Sequence, residues 1–196
     1  MKHLPLFFLF FTALLSCGKS SSKETLSQDI LKDTMRYGAK NFSLPVITPK
    51  ANEIIENWPI FQEFKAEITS LKELTLEELK NKSERLLVQT DSISKHIPDT
   101  LFSNAIFSRV SIVKTRVNLL KQEVNKGTIR PQEIEKNLTE TQNAVTNFII
   151  QINEKVLKDK IDFQRKDDEE KELEKQRKAK DSIFKLELND QKKQLP

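Results

Sequence analysis

Cys17 is the only cysteine in this chain of 196 residues, and His3 and His96 are its only histidines. A lone cysteine closes no intramolecular disulfide, and so few thiols and imidazoles exclude a multi-cysteine zinc or iron–sulfur site. His96 precedes Ile97-Pro98, with Asp91 and Asp99 near it in sequence. As a general base it would need an orienting carboxylate and a nucleophile. At a helix end an imidazolium is instead stabilised by the helix dipole, so a structural or solvated role is expected for it. The Glu-x-x-His signature of di-iron bundles fails here, because Ile93 stands three residues before His96. HExxH, GxSxG, Walker-type and EF-hand patterns are all missing from the sequence. Adjacent glutamates such as Glu77-Glu78 and Glu169-Glu170 read as helix caps and solvated faces. The expectation is therefore no catalytic residue, no metal and no cofactor: a protein that is not an enzyme.

The chemistry that remains is a modification of Cys17. Residues 1–16 begin with Lys2 and continue as an apolar run, Leu4 to Leu15, interrupted only by Pro5 and Thr12. A run of about 12 residues is too short to cross a bilayer, which takes about 20, and matches the apolar region of an export signal. Leu14-Leu15-Ser16-Cys17 follows directly. This tetrapeptide resembles the lipobox of bacterial lipoproteins. The resemblance implies that the Cys17 thiol takes a diacylglyceryl group, that signal peptidase II cuts between Ser16 and Cys17, and that the new amino group is acylated. Each buried methylene contributes about 0.8 kcal/mol, so one acyl chain anchors marginally and two or more anchor stably. Gly18 stands where an aspartate would mark inner-membrane retention, so the resemblance points to the outer membrane. Lys19-Ser20-Ser21-Ser22-Lys23 then reads as a polar tether.

The 33 basic and 29 acidic residues leave a net charge of only +4, well mixed along the chain. Nucleic-acid binding would want basic residues clustered on one face, so no nucleic-acid partner is expected. Three glycines are too few for a hairpin-rich β protein or a glycine-rich phosphate loop.

Leu26, Ile30, Leu31 and Met35 suit a short amphipathic helix before Gly38, and Ser43 to Pro49, with two prolines and β-branched residues, suits an extended strap. From residue 51 apolar residues recur at helical spacing: Ile54, Ile55, Trp58, Phe61, Phe64, Ile68 and Leu71. A break is expected at Asn57-Trp58, with Asn57 capping the turn and Pro59 in the first helical turn. Thr75 and Glu78 form a capping box for a helix whose seam is Leu76, Leu79, Ser83, Leu86, Thr90, Ile93 and Ile97. Ser83 and Thr90 are small enough to bond their own helix backbone. Pro98 ends this helix, and Pro98-Asp99-Thr100 is expected to open the next. Phe102, Ile106, Val110, Val113, Val117, Leu120 and Val124 are that helix's stripe, with Gly127 as the stop. Ile134, Leu138, Val145, Phe148, Ile149, Ile152 and Val156 line the last, weakening at Thr141 and Gln142. Short connections between long helices favour antiparallel neighbours.

After Leu157 the composition turns to Lys, Arg, Asp and Glu, with opposite charges at helical spacing. No breaker lies between Pro131 and Asp181, so a solvated helix continuing from the bundle is expected. It lacks the apolar positions of a self-sufficient coiled coil and reads rather as a lone helix or tail. Ile183, Phe184, Leu186 and Leu188 then form an apolar patch, suited to a strand or to a helical face, and a candidate docking element for an envelope protein.

The sequence thus predicts an all-α fold: an antiparallel up-down bundle of three long helices and one shorter, with a long charged C-terminal helical extension. Its segments are a signal peptide (1–16), a lipidated tether and strap (17–50), the bundle (51–157) and the extension (158–196). The functional expectation is an outer-membrane-anchored envelope lipoprotein acting by interaction. The alternative is a bundle binding a small apolar solute or lipid in a pocket lined by Phe102, Phe107 and Phe148.

Overall fold

The computed structural model describes residues 34–193. The signal sequence, the lipobox with Ser16 and Cys17, the tether, and the helix expected through Leu26, Ile30 and Leu31 lie outside the described residues. Met35, at the end of that segment, packs against the core.

Among the described residues the fold is all-helical. Five helices follow in order: α1 (Pro49–Glu56), α2 (Pro59–Thr69), α3 (Leu76–Lys95), α4 (Asn104–Val124) and α5 (Pro131–Lys193). The single extended pairing is an isolated antiparallel bridge between Tyr37 and Leu74.

Local chemistry places the helix ends. Pro59 sits in the first turn of α2, where its missing N–H is not needed, and Trp58 is the capping residue. The expected break at Asn57-Trp58 is present, but Asn57 acts backward. Its Nδ2 donates to the Glu53 carbonyl at 3.1 Å, closing α1 rather than capping α2. The Thr75–Glu78 capping box is formed in full: Thr75 Oγ1 accepts from the Glu78 N–H, and the Glu78 carboxylate accepts from the Thr75 N–H. Ser83 donates to the Lys80 carbonyl and Thr90 to the carbonyls of Leu86 and Leu87, so two buried hydroxyls on the α3 seam are satisfied within their own helix.

The start of α4 differs from expectation. Ser103, not the Pro98-Asp99-Thr100 segment, is its cap, with Oγ accepting from the Ile106 N–H at 3.2 Å. Phe102 therefore lies ahead of the helix and 58% exposed, and Leu101 is the buried residue there. Extending a stripe one turn past a cap misplaces its first member.

The core is continuous across all five helices and ends at Val156. Trp58 stacks on Phe61 with ring centroids 5.1 Å apart, and Phe148 of α5 meets Phe61 edge-on at 5.7 Å. The seams of α3, α4 and α5 bury the aliphatic residues expected of them, at about 1.5–3 kcal/mol each, except Ile97, which lies past the end of α3 and is partly buried. From residue 157 to 190, α5 buries no side chain.

Residues 42–48 lie outside any helix, with Leu44 and Ile47 against the core and Val46 outward, and Thr48 is extended; Pro49, expected in the strap, instead opens α1, where its missing N–H is not needed. The segment enters through Gly38, whose φ of 95° is left-handed and whose added Cβ would stand 2.6 Å from the Leu71 carbonyl oxygen. Gly38→Ala should destabilise the protein by about 1–3 kcal/mol, read as a lower melting temperature by circular dichroism. An unchanged melting curve would mean that the Leu71 turn gives way at no cost.

Candidate functional site

Three polar side chains of α5 reach across the fold and fix where the strap and the α2–α3 turn lie. Glu135 Oε1 accepts from the Gly38 N–H at 2.9 Å. Gln142, 5% exposed, donates from Nε2 to the Leu71 carbonyl at 3.2 Å. Asn153 bonds the strap twice: Oδ1 accepts from the Thr48 N–H at 3.0 Å, and Nδ2 donates to the Val46 carbonyl at 2.9 Å. The weakening of the stripe at Thr141 and Gln142 is thus an interior polar contact, since both are buried. Beside this seam the Tyr37 hydroxyl is buried without a hydrogen-bond partner, and burial together with the Glu135 charge pushes the phenol above its ordinary pKa.

One carboxylate joins two helices, and another holds the turn between two more. Glu123, 6% exposed near the end of α4, accepts from Arg130 Nε at 3.0 Å and Arg130 Nη2 at 2.8 Å, and pairs with Lys126. Glu67 of α2 receives Lys82 at 3.0 Å and Arg85 at 2.9 Å from α3. In both carboxyls burial raises the pKa, and the hydrogen bonds and positive charges outweigh it, leaving each below the ordinary carboxylate value. None of these groups converges on a cleft with a nucleophile. His96, the C-cap residue of α3, turns its Nδ1 to the Ser92 carbonyl at 2.9 Å, a local helix-end contact. Among the described residues no cluster of three or more His, Cys, Asp or Glu side chains has the grouping of a metal site, and no helix is long and apolar enough to cross a membrane.

The pocket imagined around Phe102, Phe107 and Phe148 is not formed. Phe102 and Phe107 are exposed, while Phe148 is inside the core against Phe61. Apolar concavities do occur where α5 leaves the core. One groove of about 510 Å³ is lined by Ile54, Val156 and Phe163 with Lys50, Asp159 and Lys160, and a neighbouring one of about 450 Å³ by Pro49, Ile150 and Leu157 among others.

The four residues expected to dock a partner are all in α5, so they are helical and not a strand. Ile183, Phe184, Leu186 and Leu188 are 57%, 60%, 65% and 40% exposed, which leaves them free of the core. The same helix exposes Ile161, Phe163 and Leu173. Glu170, Leu173, Glu174 and Arg177 line a shallow groove of about 300 Å³ on one helix face. Comparison with protein-family models, with curated proteins and with solved structures finds no match to this chain.

A carboxyl with a depressed folded pKa contributes stability above its unfolded pKa and loses it as pH falls through the folded value. The ordinary value for Glu67 and Glu123 is 4.5. The melting temperature should therefore hold near neutrality and fall between about pH 5 and pH 3. Glu123→Gln should lower it at pH 7 and flatten that acid decline. Parallel melting curves for the variant and the parent chain across this range would show that Glu123 contributes nothing to the pH dependence.

Proposed function

We infer that this protein is a lipid-anchored lipoprotein of the bacterial cell envelope that works by interaction rather than catalysis. The observation that carries this reading is the sequence Leu14-Leu15-Ser16-Cys17 at the end of an apolar run of export-signal length. Cleavage between Ser16 and Cys17 and acylation of Cys17 would tie the chain to a membrane, the outer one by the residue that follows. Two or more acyl chains suffice for a stable anchor without any spanning helix.

The fold belongs to this reading as an antiparallel up-down bundle carrying a charged helical extension. The ion pairs Glu84–Lys121 and Asp91–Lys114 advance along α3 as they retreat along α4, which supports antiparallel neighbours. Arg116–Glu140 links α4 to α5, and Glu123–Arg130 closes the short turn between them. The extension supplies the contact element: a solvated helix ending in Ile183, Phe184, Leu186 and Leu188, beyond the reach of the core. Its intrahelical pairs Lys155–Asp159, Asp167–Lys171 and Glu174–Lys178 keep it helical in water.

Expression in a bacterium with labelled palmitate tests the anchor. The parent chain should incorporate label and stay with the membrane pellet, with an intact mass matching an acylated chain that begins at Cys17. Cys17→Ala should take up no label and leave the pellet. An unmodified thiol in the parent chain would end the reading.

A further inference from the structure

Along α5, Phe163, Glu170, Arg177 and Phe184 follow one another at intervals of seven. Residues seven apart lie on nearly the same face of a helix, drifting by about 20° each time in a straight one. Leu173 and Glu174 share the groove formed by Glu170 and Arg177, so all six belong to one exposed strip. Phe163 is 72%, Leu173 66% and Phe184 60% exposed.

The strip is arranged symmetrically. Phe163 and Phe184 are equidistant from the midpoint between Leu173 and Glu174, and so are Glu170 and Arg177, one acidic and one basic. The flanking sequence follows the same plan: net acidic from 167 to 174 and net basic from 175 to 180. Neighbouring charges are used up inside the helix, Asp167 by Lys171, Glu172 by Lys175 and Glu174 by Lys178. Glu170 and Arg177 have no ion-pair partner among the described residues.

We propose that this face pairs with the same face of a second copy of the chain, the two helices running antiparallel about a two-fold axis at Leu173–Glu174. A two-fold interface must be complementary to itself, and this strip is. Reversing one copy sets Phe163 against Phe184 and Glu170 against Arg177, twice over, with the two Leu173 side chains meeting near the axis. A parallel pair would instead stack Glu170 on Glu170 and Arg177 on Arg177. The strip from Phe163 to Phe184 is about 32 Å long, enough for several layers of contact. The proposal deepens the reading of the extension as a contact element by naming its partner. It does not depend on the lipid.

Charge exchange tests it. In sedimentation of the full chain in mild detergent, the parent should self-associate. Glu170→Arg and Arg177→Glu should each weaken association about tenfold, since two exposed ion pairs per dimer become repulsions. The double variant should recover the parent's association, and so should a mixture of the two single variants, while circular dichroism shows all of them equally helical. A double variant as weak as either single one would overturn the proposal. So would association indifferent to both residues, or a parent chain that stays monomeric to about 100 µM. For orientation, Phe163→Cys and Phe184→Cys chains, each also carrying Cys17→Ser, are mixed and oxidised. Disulfides should join unlike chains, and cross-links between two Phe163→Cys chains would overturn the antiparallel arrangement. A monomeric chain that still loses a purified envelope partner on Phe184→Ala would remove self-pairing and leave the docking reading standing.

Discussion

One unbroken helical backbone joins a buried half-helix to an exposed one. From Pro131 to Lys193 the i to i−4 ladder of α5 meets no proline and no glycine, so the backbone has no local reason to turn where the core ends at Val156. The first part of the helix is held by burial against α4, α1 and the strap. The second part has no burial to hold it and persists because its first turns are fixed and its charges pair at spacings of three and four. Nucleating a helix costs more than extending one, and here the core has already supplied the nucleus. The exposed faces of residues 158–190 acquire a defined orientation for that reason. A detached segment of the same composition would have charges but no faces.

Apolar burial holds the bundle together, but it does not by itself say which turn of one helix meets which turn of another. Leucine and valine seams tolerate displacement by a turn at modest cost. The polar contacts of α5 do not. Displacing Gln142 from the Leu71 carbonyl would leave both groups unpaired in the interior, at about 1–3 kcal/mol for each buried group. Glu135 at Gly38 and Asn153 at Thr48 and Val46 apply the same constraint to the strap, one near each end of it. The strap therefore runs along α5 in the direction of that helix, from its first turns toward the place where the extension leaves the core.

The periodic parts of this fold were readable because they depend on neighbours in sequence. Thr75 and Glu78 meet within one turn, Ser83 and Thr90 bond their own helix, and the α4 and α5 stripes repeat at the helical period. The contacts that position the strap were not readable. Gly38 and Glu135 are 97 residues apart, Leu71 and Gln142 71 apart, and no local pattern marks either pair. Glu123 broke the periodic rule outright, a carboxylate at a buried position whose partners, Lys126 and Arg130, lie in the following turn. Phe102 was misread because Ser103, a cap residue one place later, outweighs one more match to a stripe. At the far end, the residues of the apolar patch were visible in the sequence, but the relation of Phe163 to Phe184 was not. Twenty-one positions become one face only once the helix between them is known to be continuous.

The proposed anchor and the proposed helix pairing would act on each other through concentration. A weak exposed strip, with aromatic residues at its ends and opposed charges between, would form few pairs at the dilution of a soluble protein. Confinement to a membrane raises the local concentration of one copy around another, and association then needs no additional contact. Gly38 is pinned to Glu135 in the first turns of α5, whereas the strip begins beyond Val156. At 1.5 Å per residue the midpoint at Leu173–Glu174 stands about 58 Å along the helix from Glu135. Two antiparallel copies would thus hold their cores at opposite ends of the paired segment. The span of such a rod is set by the length of the extension, not by the size of the bundle.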